Sequence, residues 1–337
     1  MILYHPDCDI RFSEYGIEIP IVDDRAESVF TALKYLYPFL VYTDYKSITP
    51  ISQEDLKRVH TKEYLENLFG PSKEERENEI FKCYELINES GQFERYNPKN
   101  QKRDFLDLIQ TVLTQMSMTF KAGEFALEHG FSYFLGGGMH HAMSFGGRGF
   151  CLLNDLVVSL RKLQFQKKIK TAWIVDVDVH KGDGAPEILK NDLSIKTFSI
   201  HMKEGWPLNS GTLRDPWFIP STMDIGIDVG EDDQYLARLE AGLLEMEEQH
   251  SLPDLVLVVN GADPYEHDAL PSASFINLTR EQMLARDQML YHFFKKRNIP
   301  QAYVMAGGYG ARSYEIYLQF LKFVGENTSF GPKVSSR

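Results

Sequence analysis

The stretch Asp176-Val-Asp-Val-His-Lys-Gly-Asp-Gly-Ala185 follows directly on the apolar run Thr171-Ala-Trp-Ile-Val175. A short apolar run closed by glycines reads as a buried strand. Side chains two apart on a strand point the same way, so Asp176, Asp178 and His180 share a face as the strand passes into its loop. Gly182 and Gly184 let the backbone fold tightly around whatever those groups hold. Carboxylates and an imidazole converging at a strand's carboxyl end suit a divalent metal. The competing reading is a strand-to-helix turn with solvated acids, and the rest of the chain argues against it.

Working outward, short apolar runs alternate with amphipathic segments. Strands are expected at 2–4, 132–135, 171–177, 195–200, 222–227, 255–259 and 302–305. Helices are expected at 104–129, closed by Gly130, and at 151–163, 232–250, 279–296 and 313–323. Leu236, Leu239, Leu243 and Met246 recur every three or four residues, which is one buried stripe. Thr279 with Gln282 forms a capping box. This alternation predicts an α/β fold: a single three-layer domain over residues 1–330 with a central, mainly parallel sheet flanked by helices. Residues 70–103 are rich in charge and asparagine with no clean period, and read as a surface insertion or a loop over the site. Residues 331–337 read as a disordered tail.

Ligands of open α/β sheets bind beyond the carboxyl ends of the strands. Four segments in such positions carry chemistry: Gly136-Gly-Gly-Met-His-His-Ala142, the stretch from Asp176 to Gly184, Asn260-Gly-Ala-Asp263, and Ala306-Gly-Gly-Tyr309. Asp178, His180 and Asp263 supply two carboxylates and one imidazole, a set of three that leaves a metal position open for catalysis. His140 and His141 need partners if buried, and Asp176 and Asp183 are the natural ones. A carboxylate on one ring nitrogen fixes the tautomer and frees the other for proton transfer. Tyr309, after two glycines, can present a phenol to a developing oxyanion. Gly149, Phe150 and Trp206 are candidates for the wall of a narrow apolar channel.

Composition narrows the function class. The chain has 337 residues, 43% of them hydrophobic, enough for one full core. A formal charge of −12 argues against bulk affinity for nucleic acid or anionic membranes. Cys8, Cys83 and Cys151 make neither a disulfide framework nor a thiolate zinc cluster. No signal-peptide pattern opens the sequence and no run is long enough to span a bilayer, so a cytoplasmic location is expected.

Taken together, these segments resemble the zinc-dependent histone deacetylase superfamily, which includes acetoin-utilisation proteins and acetylpolyamine amidohydrolases. The carrying motifs are the triple glycine with His140-His141, Gly149-Phe150-Cys-Leu-Leu-Asn-Asp155, the segment from Asp176 to Gly184, Phe198-Ser-Ile-His201, Gly-Ala-Asp263 and Gly-Gly-Tyr309. The triple glycine and the stretch from Val229 to Leu236 are most similar to the class IV branch and its bacterial relatives. The resemblance implies an arginase-like fold and hydrolysis of an acylated amine by metal-activated water. It implies zinc, with iron(II) as the alternative, on Asp178, His180 and Asp263. It implies His141 as general base and then acid, oriented by Asp183, and His140 as an electrostatic aid oriented by Asp176. Tyr309 becomes the oxyanion donor. A structural potassium ion is implied near Asp176, Asp178, His180, Ser199 and Ile200. The implied partner is acylated lysine in a protein or peptide, or an acylated small amine, with no nucleic acid or membrane. Lys181 stands where many members carry a second histidine or a glutamine, and its side chain is expected to point away from the metal.

Overall fold

The computed structural model describes residues 1–38, 41–42, 48–88, 90–208, 210 and 215–327. The tail expected at 331–337, and part of the loop after Trp206, lie outside the described residues.

Among the described residues, eight strands form one sheet: β1 (Ile2–Leu3), β2 (Val41–Tyr42), β3 (Phe131–Phe134), β4 (Ala172–Asp176), β5 (Ile195–Met202), β6 (Met223–Ile227), β7 (Leu255–Asn260) and β8 (Gln301–Met305). Their order is β2-β1-β3-β8-β7-β4-β5-β6, and every neighbouring pair is parallel. The helices are α1 (Arg25–Leu36), α2 (Gln53–Leu56), α3 (Lys62–Phe69), α4 (Lys73–Cys83), α5 (Phe105–His129), α6 (Asp155–Phe165), α7 (Gly184–Ile188), α8 (Tyr235–Gln249), α9 (Arg280–Lys296) and α10 (Ser313–Asn327).

Strand β3 shows why three layers form. All four of its residues are buried, as both faces of a covered parallel sheet require. Phe131 and Tyr133 reach the rings of Tyr303 and of Phe320 on α10. Ser132, pointing the opposite way, donates to the Ala122 carbonyl of α5 at 2.6 Å. Helices α5 and α6 pack together, while α1, α10, α9 and α8 form a second contiguous group.

The expected strands are all present with small shifts at their ends, and β2 is additional. Helix α5 begins where Asp104 accepts from the Leu106 N–H and ends at Gly130 in the left-handed region. Thr279 and Gln282 make the reciprocal capping box of α9. Two expectations need correction. The helix expected from Cys151 starts at Asp155, because Asn154 caps it by accepting from the Val157 N–H. Residues 70–103 contain α4, which Ser72 caps; its surface is so charged that only Glu79, Ile80 and Cys83 are buried. A narrow stripe of this kind gives a weak 3.6-residue signal.

The four strands that lead into the chemistry-bearing segments, β3, β8, β7 and β4, are adjacent in the middle of the sheet. Strands β3 and β4 follow one another in the chain, yet β8 and β7 lie between them. The loops leaving all four carboxyl ends therefore open on one crevice.

Candidate active site and metal centre

The turn after β3 is held from below by Asp155 at the start of α6. Its carboxylate accepts from the Gly138 N–H at 3.0 Å, the Met139 N–H at 2.7 Å and the Thr119 hydroxyl at 2.6 Å. Gly137 and Gly138 have φ of 76° and 77°, which L side chains seldom adopt. This turn delivers two buried histidines whose ring centroids are 3.9 Å apart.

Each histidine has its own carboxylate. His140 Nδ1 stands 2.7 Å from Asp176 Oδ2, and His141 Nδ1 stands 2.7 Å from Asp183 Oδ1. Their electrostatics diverge. Burial works against the charged form of His140, but Asp176 and Asp178 outweigh it and raise the ring to about 9. Burial pushes His141 well below its usual value, the neighbouring His140 adds to this, and Asp183 only partly offsets it. Arg148 Nη1 donates to the other Asp183 oxygen at 3.0 Å.

Asp178, His180 and Asp263 place ligand atoms within 4.8 Å of one another, all buried. His180 Nδ1 is 3.2 Å from Asp178 Oδ1 and 3.3 Å from Asp263 Oδ2. Backbone N–H groups orient both acids: Gly307 donates to Asp178 Oδ2 at 2.8 Å, and Val179 donates to Asp263 Oδ1 at 3.0 Å. Asp263 Oδ2 is buried with no hydrogen bond among the described residues, and burial beside Asp178 pushes its pKa up to about 7. A buried carboxylate oxygen left in that condition is costly without a cation. Two carboxylates and one imidazole fit a divalent ion.

Tyr309 follows the turn after β8. Its N–H donates to Asp268 Oδ2 at 2.7 Å, its ring is buried, and its hydroxyl makes no hydrogen bond among the described residues. Burial raises its pKa well above the usual value, and Asp263 and Asp178 raise it further, so it is a neutral phenol. The preceding turn is fixed by Arg25, which donates to the carbonyls of Gly308 at 2.6 Å and Ala306 at 2.8 Å.

A cavity of about 210 Å³ joins these groups. Tyr309, His140, His141, Asp178 and His180 line it, as do Gly149, Phe150 and Trp206. The Trp206 ring lies edge-on to His141 at 4.5 Å, and the Arg148 guanidinium lies 5.1 Å from the Trp206 ring. A Cβ on Gly149 would collide with both Trp206 and His141, and its φ is 55°. Phe150 stacks on Tyr84. Lys181 turns away from the cluster: it is buried, pairs with Asp224 at 2.9 Å and donates to the Ser221 hydroxyl at 2.6 Å. Ser199 lies opposite Asp176 in the β4–β5 ladder with Ile200 next to it, and its hydroxyl is 3.1 Å from His201 Nδ1.

Sequence reasoning passed over Asp155, Arg148, Asp268 and Arg25. Asp155 stands beside a helix cap and Arg148 between glycines, where composition gives no hint of a partner. Arg25 reaches a loop at the far end of the chain, through the carbonyls of Ala306 and Gly308.

A model of the histone deacetylase domain matches residues 19–320. An uncharacterized protein of Picosynechococcus is 31% identical over 241 residues, covering 69% of this chain and 77% of that protein. Histone deacetylase 2 of Arabidopsis thaliana is 27% identical over 195 residues, covering 58% of this chain and 48% of that protein. Histone deacetylase clr6 of Schizosaccharomyces pombe is 25% identical over 321 residues, 93% of this chain and 73% of that protein. Two solved structures share the fold at 20% identity and cover 97% of this chain: the HD domain of HDA15 (TM-score 0.69, 91% of that chain) and an HDAC homologue complexed with SAHA (TM-score 0.68, 84% of that chain).

Proposed function

The chain belongs to the histone deacetylase family, and from that premise we propose that it is a metal-dependent deacylase hydrolysing the amide of acyl-lysine or a related acylamine. The observation that carries this reading is the meeting of two separately oriented His–Asp pairs, an Asp–His–Asp cluster and a free phenol in one cavity.

Hydrolysis of an unactivated amide needs a nucleophile, a polarised carbonyl and a proton for the leaving nitrogen. A divalent ion on Asp178, His180 and Asp263, zinc in this reading with iron(II) as the alternative, supplies Lewis acidity and a water of lowered pKa. The residues supply the rest. Asp183 fixes the proton of His141 on Nδ1, so neutral Nε2 accepts a proton from the attacking water. Asp183 then steadies the imidazolium until it passes that proton to the departing amine. His140, oriented by Asp176, assists electrostatically beside the reacting carbonyl. Tyr309 donates to the oxyanion of the tetrahedral intermediate. Phe150, Gly149 and Trp206 enclose the aliphatic arm of the substrate. Asp176, Asp178 and His180, with Ser199 and Ile200 on the adjacent strand, would hold the structural potassium ion of this reading, mostly through backbone oxygens.

The test is a panel of acetyl-, longer-acyl- and trifluoroacetyl-lysine peptides beside acetylated polyamines, assayed with zinc or iron(II). Release of free acid from at least one lysine substrate, blocked by a hydroxamate, is the expected result. Turnover confined to polyamines would move the assignment to a small-amine amidohydrolase, and binding without acid release would reject catalysis.

A further inference from the structure

One buried ion pair plays no part in this chemistry and yet touches both strands that carry the metal carboxylates. Arg286 and Asp287 are consecutive residues of α9, and both are 0% exposed. Arg286 Nε donates to Asp287 Oδ1 at 2.9 Å, and Arg286 Nη1 donates to the Val177 carbonyl at 3.0 Å. Val177 lies between Asp176 and Asp178. The same Asp287 oxygen accepts from Asn260 Nδ2 at 2.8 Å. Asn260 ends β7, shortly before Asp263, and its side-chain oxygen accepts from the buried Tyr133 hydroxyl of β3 at 2.9 Å.

Burying two full charges is costly, and replacement of such a pair by apolar residues is often neutral or stabilising for the fold alone. This pair directs its remaining hydrogen bonds at the two strand ends from which Asp178 and Asp263 project. Groups one layer out from a metal set the orientation of its ligands, and their loss typically weakens metal binding about 10- to 100-fold.

We propose that Arg286 and Asp287 are positioning residues that lock the end of β4 to the end of β7, fixing the separation of Asp178 and Asp263 and with it the affinity of the metal centre. The proposal rests on the reading of Asp178, His180 and Asp263 as that centre. The clamp works through Val177 and Asn260 and touches neither substrate nor metal.

The experiment measures Zn2+ dissociation constants by chelator competition, and the visible absorption of the Co2+-loaded protein, for parent and variants. R286M/D287L removes both charges and leaves apolar groups in their place. Its Zn2+ affinity is expected to fall about 10- to 100-fold with an altered Co2+ spectrum and native circular dichroism. A purely structural pair would change thermal stability and leave both metal readouts at parent values, and that result overturns the proposal. If the double variant does not fold, R286K and Y133F decide. The R286K substitution leaves a single ammonium that reaches only one of the two partners, and Y133F removes one hydroxyl from the support of Asn260. Weakened Zn2+ binding in either variant supports the clamp, and parent affinity in both overturns it. A parent that binds no Zn2+ overturns the metal centre itself. A parent that binds Zn2+ beside variants that bind it equally well overturns the clamp alone.

Discussion

Replacing Tyr309 by phenylalanine separates catalysis from folding more cleanly than any other change at this site. The Tyr309 hydroxyl has no hydrogen-bond partner among the described residues, so the free protein loses none when it is removed. The ring stays packed, because its position is set by the Asp268 carboxylate gripping the Tyr309 N–H and by Arg25 gripping the carbonyls of Ala306 and Gly308. A surface-like stability change of about 0.5 kcal/mol or less follows, worth about 2 °C or less in melting temperature for a chain of this size. In the transition state the account reverses. The phenol is neutral, because burial and two carboxylates hold its pKa high, and it faces the cavity in which the proposed reaction would develop oxyanion charge. Loss of one such donor typically costs about 100- to 1000-fold in kcat, or about 2.7–4 kcal/mol. The interaction exists only in the transition state, so kcat and kcat/KM should fall together while KM is unchanged. The assay is steady-state turnover of an acetyl-lysine peptide by parent and Y309F, both zinc-loaded, with a thermal melt of each. Turnover within threefold of the parent, or a defect confined to KM, would refute the assignment of Tyr309 as oxyanion donor.

Two further outcomes can be checked independently. Gly307 lies against Asp178 and Asp263, and a Cβ there would overlap oxygens of both, so if these acids hold the metal G307A should lose Zn2+ binding at least tenfold by chelator competition; unchanged affinity would contradict the position given to this turn. His60 is buried with Nδ1 3.1 Å from the Met143 carbonyl and Nε2 accepting from the Asn154 N–H at 3.1 Å, and burial pushes its pKa from 6.5 to about 4. Its unfolded ring takes up a proton below pH 6.5 while its native ring resists until about pH 4, so the stability tied to neutral His60 is complete above 6.5 and falls away as pH drops towards 4. Comparing urea unfolding of the parent and H60N at pH 7 and 4.5, the parent should lose about 2.5 kcal/mol more than the variant; parallel losses would show that His60 is not the group responsible.

The fold was legible wherever a run of apolar residues was long enough to be buried on both sides. Strands β3, β4, β5, β7 and β8 are such runs, and reading them as parallel followed from the helices between them. Strand β2 is two residues long and carries no period to read. Helix α1 is a different case. Ala26, Val29, Phe30 and Leu33 recur at three and four residues, a stripe that the sequence carries between two less regular stretches. Helix α4 offered less, since most of its surface is charged. The side chains that converge on the cavity could be picked out because each follows a strand, and chemistry placed after parallel strands tends to gather at one edge.

Their supports could not be found this way, because each acts through space rather than along the chain. Arg148 illustrates why that matters. In sequence it is one cation between glycines; in the fold it shares Asp183 with His141 and lies against Trp206, the ring that walls the cavity beside His141. Two adjacent and equally buried histidines are driven apart: the acids near His140 outweigh its burial, while burial and the neighbouring His140 push His141 down. His140 faces Asp176 and, at 3.8 Å, also Asp178. His141 faces only Asp183, whose charge is divided with a guanidinium. A pair of titratable groups pushed in opposite directions is the arrangement that the proposed acid–base work on a single amide calls for.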